Sequence, residues 1–571
     1  MKTMNKIYLA ALACGTLSLT ACDDYLTSEN TYQANQDTFF DSEEACEAAL
    51  YPLYTQVWAS FNEKFYYAIG DGRSNNLTAR WSDYIYPYTN FTETSLSPGL
   101  SDAWGSFYSV VAQSNYAIVN IRDRATGITD DYRTRAIAEC RFMRGVAYWY
   151  LASLWGKAII YENTAEMVNN TVTPAHTREE AMEFAIRDLE FAAANLAKTS
   201  PAEGRINRYA AYAMLSRVYL SMAGLTTEGR YNGNNVQTNH DSGTRNTYYL
   251  DLAKKAALKV IEEGPYELLD NYGDLFSVAK TNNNSESIFQ LQWIAGSTSA
   301  VGSDCTNPMP AFFSWSTMVG ETNWGNATYA SYDMVQTYDK KDRIRRHHTI
   351  ATVGERYTHL NTKNGGYIYN ETETGYDDKC NIVKYVIGKI DDNGQSYQQS
   401  SGLNTYMQRL PEVYFNYAEA CMGNTGSTTD ALALECMNKV RTRAGMPTLT
   451  SIDYKTLIYE RRIELAYEGQ YWYDLLRRSY YQQSEIIGYI NNQWRNVDYE
   501  WDETQVCQYK AADGAEITGG DGVEVADVNR LLMPVSDVDA GRNPFLNEAP
   551  VTYFSAEQLA QPEVDINALF D

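Results

Sequence analysis

Histidine is scarce in this chain, with five residues in 571, at positions 176, 240, 347, 348 and 359. None forms HExxH or another compact metal-ligand spacing, so the sequence names no metal centre. No GxSxG elbow occurs, and no serine has neighbours that mark it as a nucleophile. Gly224 to Gly229, followed by Arg230, resembles half a phosphate loop but lacks the Lys-Ser/Thr pair that grips phosphate and magnesium. Asp391-Asp392-Asn393-Gly394 begins like a calcium turn, yet no twelve-position loop ending in Glu surrounds it. No cofactor is implied. Cysteine is sparse as well. Apart from Cys14 and Cys22, seven remain, none at CxxC spacing, and an odd number cannot pair completely. Cys421 and Cys436 lie in helix-like segments and read as small core residues.

Positive charge is also short. Lys and Arg number 47 against 72 Asp and Glu, a formal net charge of −25. Such a surface repels nucleic acid and anionic headgroups but is indifferent to neutral ligands. The basic run Lys340 to Arg346 reads as a solvated helix end or loop. Long hydrophobic runs are absent too. Ile7 to Leu19, behind Lys2 and Lys6, has the length of a signal-peptide core and falls short of the roughly 20 apolar residues that span a bilayer. The run ends Leu19-Thr20-Ala21-Cys22, which resembles a lipobox. Residues 1–21 are therefore expected to be removed, leaving Cys22 lipidated at the mature N-terminus, where several acyl chains hold better than one. Residues 22–36 are acidic and polar without periodicity, which suits a tether.

What the chain has in abundance is aromatic surface and helical periodicity. There are 47 Tyr and 11 Trp. These flat faces with a polar edge suit sugar or peptide capture, although most are expected to be helix-packing core. Asp41-Ser42-Glu43-Glu44 and Thr177-Arg178-Glu179-Glu180 look like capping boxes. Met182, Ile186, Leu189, Ala193 and Leu196 make one helical stripe, and Ala211, Leu215, Val218 and Met222 a second. Leu410, Tyr414, Tyr417 and Cys421 repeat the pattern, with Pro411 at a tolerated early position. Ile458, Leu465, Trp472 and Leu476 mark another long helix. Helix pairs on short polar turns suggest TPR-like stacking without a strict 34-residue repeat. From about Gln290 to Gly402 the chain is rich in Gly, Asn, Ser, Thr and aromatics. It reads as loops with short strands, such as Ile382 to Ile387, laid over a mainly α body.

Several blocks carry a resemblance. Arg141 to Leu151 is similar to "RFLRAYAYFYL", and Arg205 to Leu220 to "NKGAALALLARVYL". Arg409-Leu410-Pro411-Glu412-Val413-Tyr414-Phe415-Asn416-Tyr417-Ala418-Glu419-Ala420 is similar to "LRLAEVYLNYAEA". Asn438 to Gly445 and Glu460 to Gly469 are similar to "NxVRxRAG" and "ERRxELAFEG", and Arg530 to Val535 with Asn543-Pro544 to a C-terminal "LxPIP…NP". In family order and nearly end to end, these blocks resemble the SusD/RagB family. The resemblance implies a mainly α, SusD-like helical body with TPR-like helix pairs, overlaid by loops and small β elements. That body would occupy residues 37–571, with an N-terminal helical part at about 37–275 and a C-terminal part at about 276–571. Asp23 and Asp24 behind Cys22 resemble the surface-export signal of Bacteroidetes lipoproteins, implying an outer-membrane, lipid-anchored protein facing the exterior.

The partner so implied is a SusC-like TonB-dependent transporter, to which SusD-like lipoproteins pass oligosaccharide and RagB-type relatives pass peptide. Two other readings are a surface glycosidase, which would need a carboxylate pair in a cleft, and a TPR-like scaffold that binds only proteins. Glu464 and Glu468, four residues apart, are the nearest thing to such a pair. Arg461 and Arg462 are expected to neutralise them in a helix-pinning charge network, since an ion-paired carboxylate is a poor acid. The chain is read as a binding protein, not an enzyme. Two stretches could supply the surface. Gly70 to Phe91 holds Asp71, Arg73, Asn75, Trp81 and Tyr84, and Gln290 to Tyr332 holds Trp293, Trp315 and Trp324. Trp81 and Trp315 are the leading platforms, having no helical stripe to join. Trp104 and Trp293 read as packing.

Overall fold

Polar side chains start the helices in the stretches read from the sequence, although the first cap is Ser42 and not Asp41 and neither start closes a capping box. The computed structural model describes residues 39–79, 82–168, 170–297, 305–320, 323–324, 327–370, 379–393, 397–502, 509–511 and 525–571. Cys22, the tether and Trp81 therefore lie outside the described residues. Ser42 Oγ accepts the Ala45 N–H to open α1 (Glu43–Leu50), and Thr177 Oγ1 accepts the Glu180 N–H to open α4 (Arg178–Asn195). Glu180 turns back only to the cap's hydroxyl, its Oε2 accepting Thr177 Oγ1 at 3.4 Å, and does not close a capping box on the Thr177 N–H. Its Oε1 accepts the N–H groups of Tyr553 (2.8 Å) and Phe554 (3.2 Å), tying the C-terminal chain to the helix start.

Helices α2 (Leu100–Asp123), α3 (Asp130–Trp155), α4, α5 (Arg208–Leu225) and α6 (Thr247–Glu263) pack each against the next. The second tier is α7 (Leu410–Met422), α8 (Ala431–Arg443), α9 (Tyr454–Glu464) and α10 (Tyr471–Ser479), with α7 lying on α5, α6 and α8. The stripe from Met182 to Leu196 is buried, as is that from Ala211 to Met222. Pro411 sits in the first turn of α7, where no intrahelical N–H is required.

Two expectations fail in an instructive way. The long helix predicted through Ile458 and Leu476 is broken between α9 and α10, with Tyr467 and Gly469 both at positive φ (62° and 67°). The break turns the Tyr467 and Gly469 N–H groups onto the Asp71 carboxylate, at 2.7 and 2.8 Å. Nor is Ile382 to Ile387 a strand. It is buried throughout and makes one isolated bridge, Ile382 to Ile350, because the chain turns at Tyr385 (φ 63°) and sends Lys384 into the core.

The strands that do form are short and antiparallel. β1 (Leu77–Thr78) pairs with β3 (Tyr329–Ala330), and β2 (Ser287–Leu291) with β4 (Thr405–Arg409) across a register shift near Phe289. One continuous core runs from Phe40 to Leu569, and much of the tyrosine is in it. Tyr66, Tyr67, Tyr88, Tyr148, Tyr150, Tyr219 and Tyr249 are among its largest fully buried side chains. Phe107 stacks on Tyr150 at 5.1 Å, a contact worth about 0.5–1.5 kcal/mol beyond area burial.

Candidate ligand-binding site

The carboxylates of the Glu460 block lie in the interior, not in a cleft. Glu464 receives Arg409 (2.6 Å), Arg443 (2.5 Å) and Arg345 (3.5 Å), and Glu468 receives Arg409 (2.7 Å) and Lys384 (2.6 Å). Glu286 bridges Arg409 and Arg443 from the start of β2. The expected charge network is there, but with other cations. Arg461 pairs with Asp474, and Arg462 with Asp333. The basic run at Lys340 is likewise only partly solvated, since Arg345 is fully buried against Asp342, Glu460 and Glu464. Burial works to raise the Glu464 pKa, but Arg443, Arg409 and Arg345 outweigh it and hold it near 2. A carboxylate so held neither gives nor takes a proton at neutral pH.

Asp71, Arg73 and Asn75 share that interior, which corrects the reading of Gly70 to Phe91 as an open loop. All three are essentially inaccessible to solvent. Ala68–Arg73 winds as a π-helical turn, and Asp71 spends its oxygens on Asn76 Nδ2 and on the N–H groups of Tyr467 and Gly469. Arg73 pairs with Glu93 at 3.0 Å, and its guanidinium lies 3.9 Å from the Phe91 ring centre. Asn75 takes the left-handed conformation (φ 65°), and its carbonyl accepts Ser331 Oγ (2.6 Å) and Arg462 Nη2 (3.1 Å). These side chains hold the floor on which the two candidate stretches meet.

They meet at Leu77↔Ala330 and Thr78↔Tyr329. Of the candidate aromatics among the described residues, Tyr84 alone is exposed. Tyr84 is 39% exposed, and the Lys64 ammonium sits 4.0 Å from its ring centre and 5.8 Å from that of Phe312. Phe312 packs against half-buried Trp324 at 4.3 Å. Glu63 pairs with Lys64 at 2.6 Å, so the cluster carries no net charge. Two of the aromatics read from sequence, Tyr84 and Trp324, are thus linked through Lys64 and Phe312, which sequence reasoning passed over. Lys64 lies in the aromatic run Phe61 to Tyr67, which reads as core, and Phe312 in the apolar Ala311-Phe312-Phe313. Neither carries a sequence signal of its own.

Trp315 is not a platform of this kind. It is buried (5% exposed) ahead of the short helix Ser316–Val319, in a stretch whose polar composition suggested exposure. Trp104 and Trp293 are buried as expected, and Trp293 Nε1 donates to Thr405 Oγ1 at 3.0 Å. Neutral, partly exposed rings beside a Lys–Glu pair can receive the C–H face of a sugar and hydrogen-bond its hydroxyls.

Residues 271–551 match the family model described as the SusD family, and residues 24–220 one described as "Starch-binding associating with outer membrane". A SusD-like protein of Bacteroides ovatus is 34% identical over 97% of this chain and 99% of its own length. Starch-binding protein SusD of Bacteroides thetaiotaomicron is 24% identical over 75% of each chain. Among solved structures, one with xylogluco-oligosaccharide superposes with a TM-score of 0.77 at 33% identity, covering 90% of this chain and 99% of that one. A laminarin-binding SusD-like protein shares the fold at a TM-score of 0.65 and 19% identity, over 88% of this chain and 98% of its own.

Proposed function

The chain belongs to the SusD family, and we propose that it is a surface lipoprotein that binds a neutral oligosaccharide and passes it to a SusC-like TonB-dependent transporter. Anchoring would be through Cys22. The observation that carries the binding role is the approach of exposed Tyr84 and half-buried Trp324, from loops far apart in sequence, to the same Lys64 and Phe312 side chains. The overlap with a structure holding xylogluco-oligosaccharide supports a β-linked, branched glucan as the first ligand to try. The protein is not an enzyme in this reading, because Glu464 and Glu468 are locked in ion pairs and recognition needs only shape, rings and hydrogen bonds.

Calorimetry with xylogluco-oligosaccharide and laminari-oligosaccharide tests this. At least one should bind, and its chain length should be unchanged after incubation. Tyr84→Ala and Trp324→Ala should each weaken binding by about 1–3 kcal/mol, roughly tenfold to hundredfold, the scale of one lost aromatic platform. The Tyr84 variant should keep its melting temperature. Binding of peptides but no glycan would transfer the protein to the RagB-type role, and shortened glycan would make it a hydrolase.

A further inference from the structure

Three of the five histidines, unrelated by any motif, surround one cavity of about 320 Å3. His347 and His348 come from the short helix Arg343–Thr349, and His359 from just beyond the strand Arg356–Tyr357. Asn271, Asp274 and Ser277 close the opposite wall around the 3-10 turn Tyr272–Phe276. His347 Nδ1 bonds to the Glu355 carboxylate, and its ring stacks on Tyr357 at 4.7 Å. His359 Nε2 donates to the Val386 carbonyl at 3.2 Å, which leaves its Nδ1 as an acceptor. His348 is different. Neither of its ring nitrogens has a hydrogen-bond partner among the described residues, although the ring is mostly enclosed. Its space is made by Gly273, since a Cβ there would fall far inside contact distance of the imidazole.

The protonation state decides what such a cavity recognises. Burial, then the neighbouring His347 and His359, push the His348 pKa down to about 4, against a weaker upward pull from Asp274 and Glu355. At neutral pH the ring is uncharged, with one N–H to donate and one nitrogen to accept, the same pairing a hydroxyl group offers in return. Asp274 already binds Lys280 at 2.7 Å, so the wall presents little free charge of either sign. No group of three His, Cys, Asp or Glu among the described residues is arranged to hold a metal ion. The volume is at the low end of small-molecule sites, which span roughly 300–1,000 Å3.

From the unpartnered His348 seated against Gly273, and a lining that sets Asn271 and Ser277 among the apolar walls of Phe276, Tyr357, Val383 and Val386, we infer that this cavity is a second carbohydrate site, sized for a single neutral sugar residue. It does not depend on the Tyr84–Trp324 face and stands or falls separately. Five histidines give a readable spectrum, so the test is NMR of histidine-labelled full-length protein titrated with D-xylose, D-glucose or D-galactose, and separately with zinc chloride. At least one sugar should shift the His347, His348 and His359 signals saturably while leaving His176 and His240 in place. His348→Leu should abolish the shift with oligosaccharide affinity unchanged, and Ser277→Ile at the rim should do the same should the first variant fold poorly. The site is refuted by silence with all three sugars, by equal movement of all five signals, or by variants that keep the response. It is refuted equally by equimolar zinc shifting the three signals when no sugar does.

Discussion

Asp71 and Glu464 are both buried carboxylates, held within one interior, yet their environments push them in opposite directions. Burial raises the Asp71 pKa to about 6, and the bonds from Asn76, Gly469 and Tyr467 only partly offset it. Its folded value therefore exceeds its unfolded one, so the stability tied to its protonation is full below about pH 4 and lost as pH rises through 6. Glu464 lies near 2, below its unfolded value. Its contribution is full above about pH 4.5 and lost as pH falls through 2. Denaturant unfolding at several pH values should separate the two. Asp71→Asn should gain stability relative to wild type on going from pH 4 to pH 7, by up to about 3 kcal/mol for a shift of about two units. Glu464→Gln should be destabilised at pH 7 and approach wild type toward pH 2. Parallel curves for both variants would show that the burial argument is wrong. The sequence placed Glu464 in a structural network correctly, but it could not show that Asp71 belonged there. A short polar residue among glycines looks the same on a surface loop as under the backbone N–H groups of Tyr467 and Gly469.

At the level of elements, the break between α9 and α10 is what joins the family's most recognisable block to the candidate ligand face. Gly70 and Gly469 lie so close that a Cβ on Gly70 would strike the Gly469 backbone, and one on Gly469 would lie 2.8 Å from the Tyr66 ring. Gly469 also needs φ near +67°, a region costly for other L-residues. From α9, Arg462 reaches across this contact to Asn76 Oδ1 (2.8 Å), the Asn75 carbonyl (3.1 Å) and Asp333 (2.7 Å), which flank the paired strands β1 and β3 in sequence. Arg462→Met should cost about 3–5 kcal/mol, since it strands a paired carboxylate and two acceptors. Hydrogen exchange should then quicken in residues 71–78 and 329–333 together while α5 stays protected. Independent loosening of one stretch alone would mean that Arg462 is not the link. Periodicity made α4, α5 and α7 legible. It overran the α9–α10 break because Leu465, Trp472 and Leu476 continue the apolar spacing through a segment whose backbone is directed by Asp71.

The whole molecule combines a neutral aromatic face with a chain of formal charge −25 whose N-terminus resembles a lipidation signal. No helix among the described residues is long and apolar enough to cross a membrane. If Cys22 carries the anchor, Cys22→Ala should leave the protein unlipidated and released by washing without detergent. Retention of the variant in the outer-membrane fraction would remove that assignment. What the sequence determined by itself was what local pattern encodes: helix starts at Ser42 and Thr177, the stripes of α4 and α5, and the ordered blocks that mark the family. Tertiary structure alone decided which polar and aromatic residues face solvent. Exposure depends on partners far along the chain, and Asp71, Asn75 and Trp315 are enclosed by packing that no local pattern announces. Tyr84 keeps 39% of its surface exposed and Trp324 is only half-buried for the same reason, because Lys64 and Phe312, which pack against them, come from elsewhere in the chain.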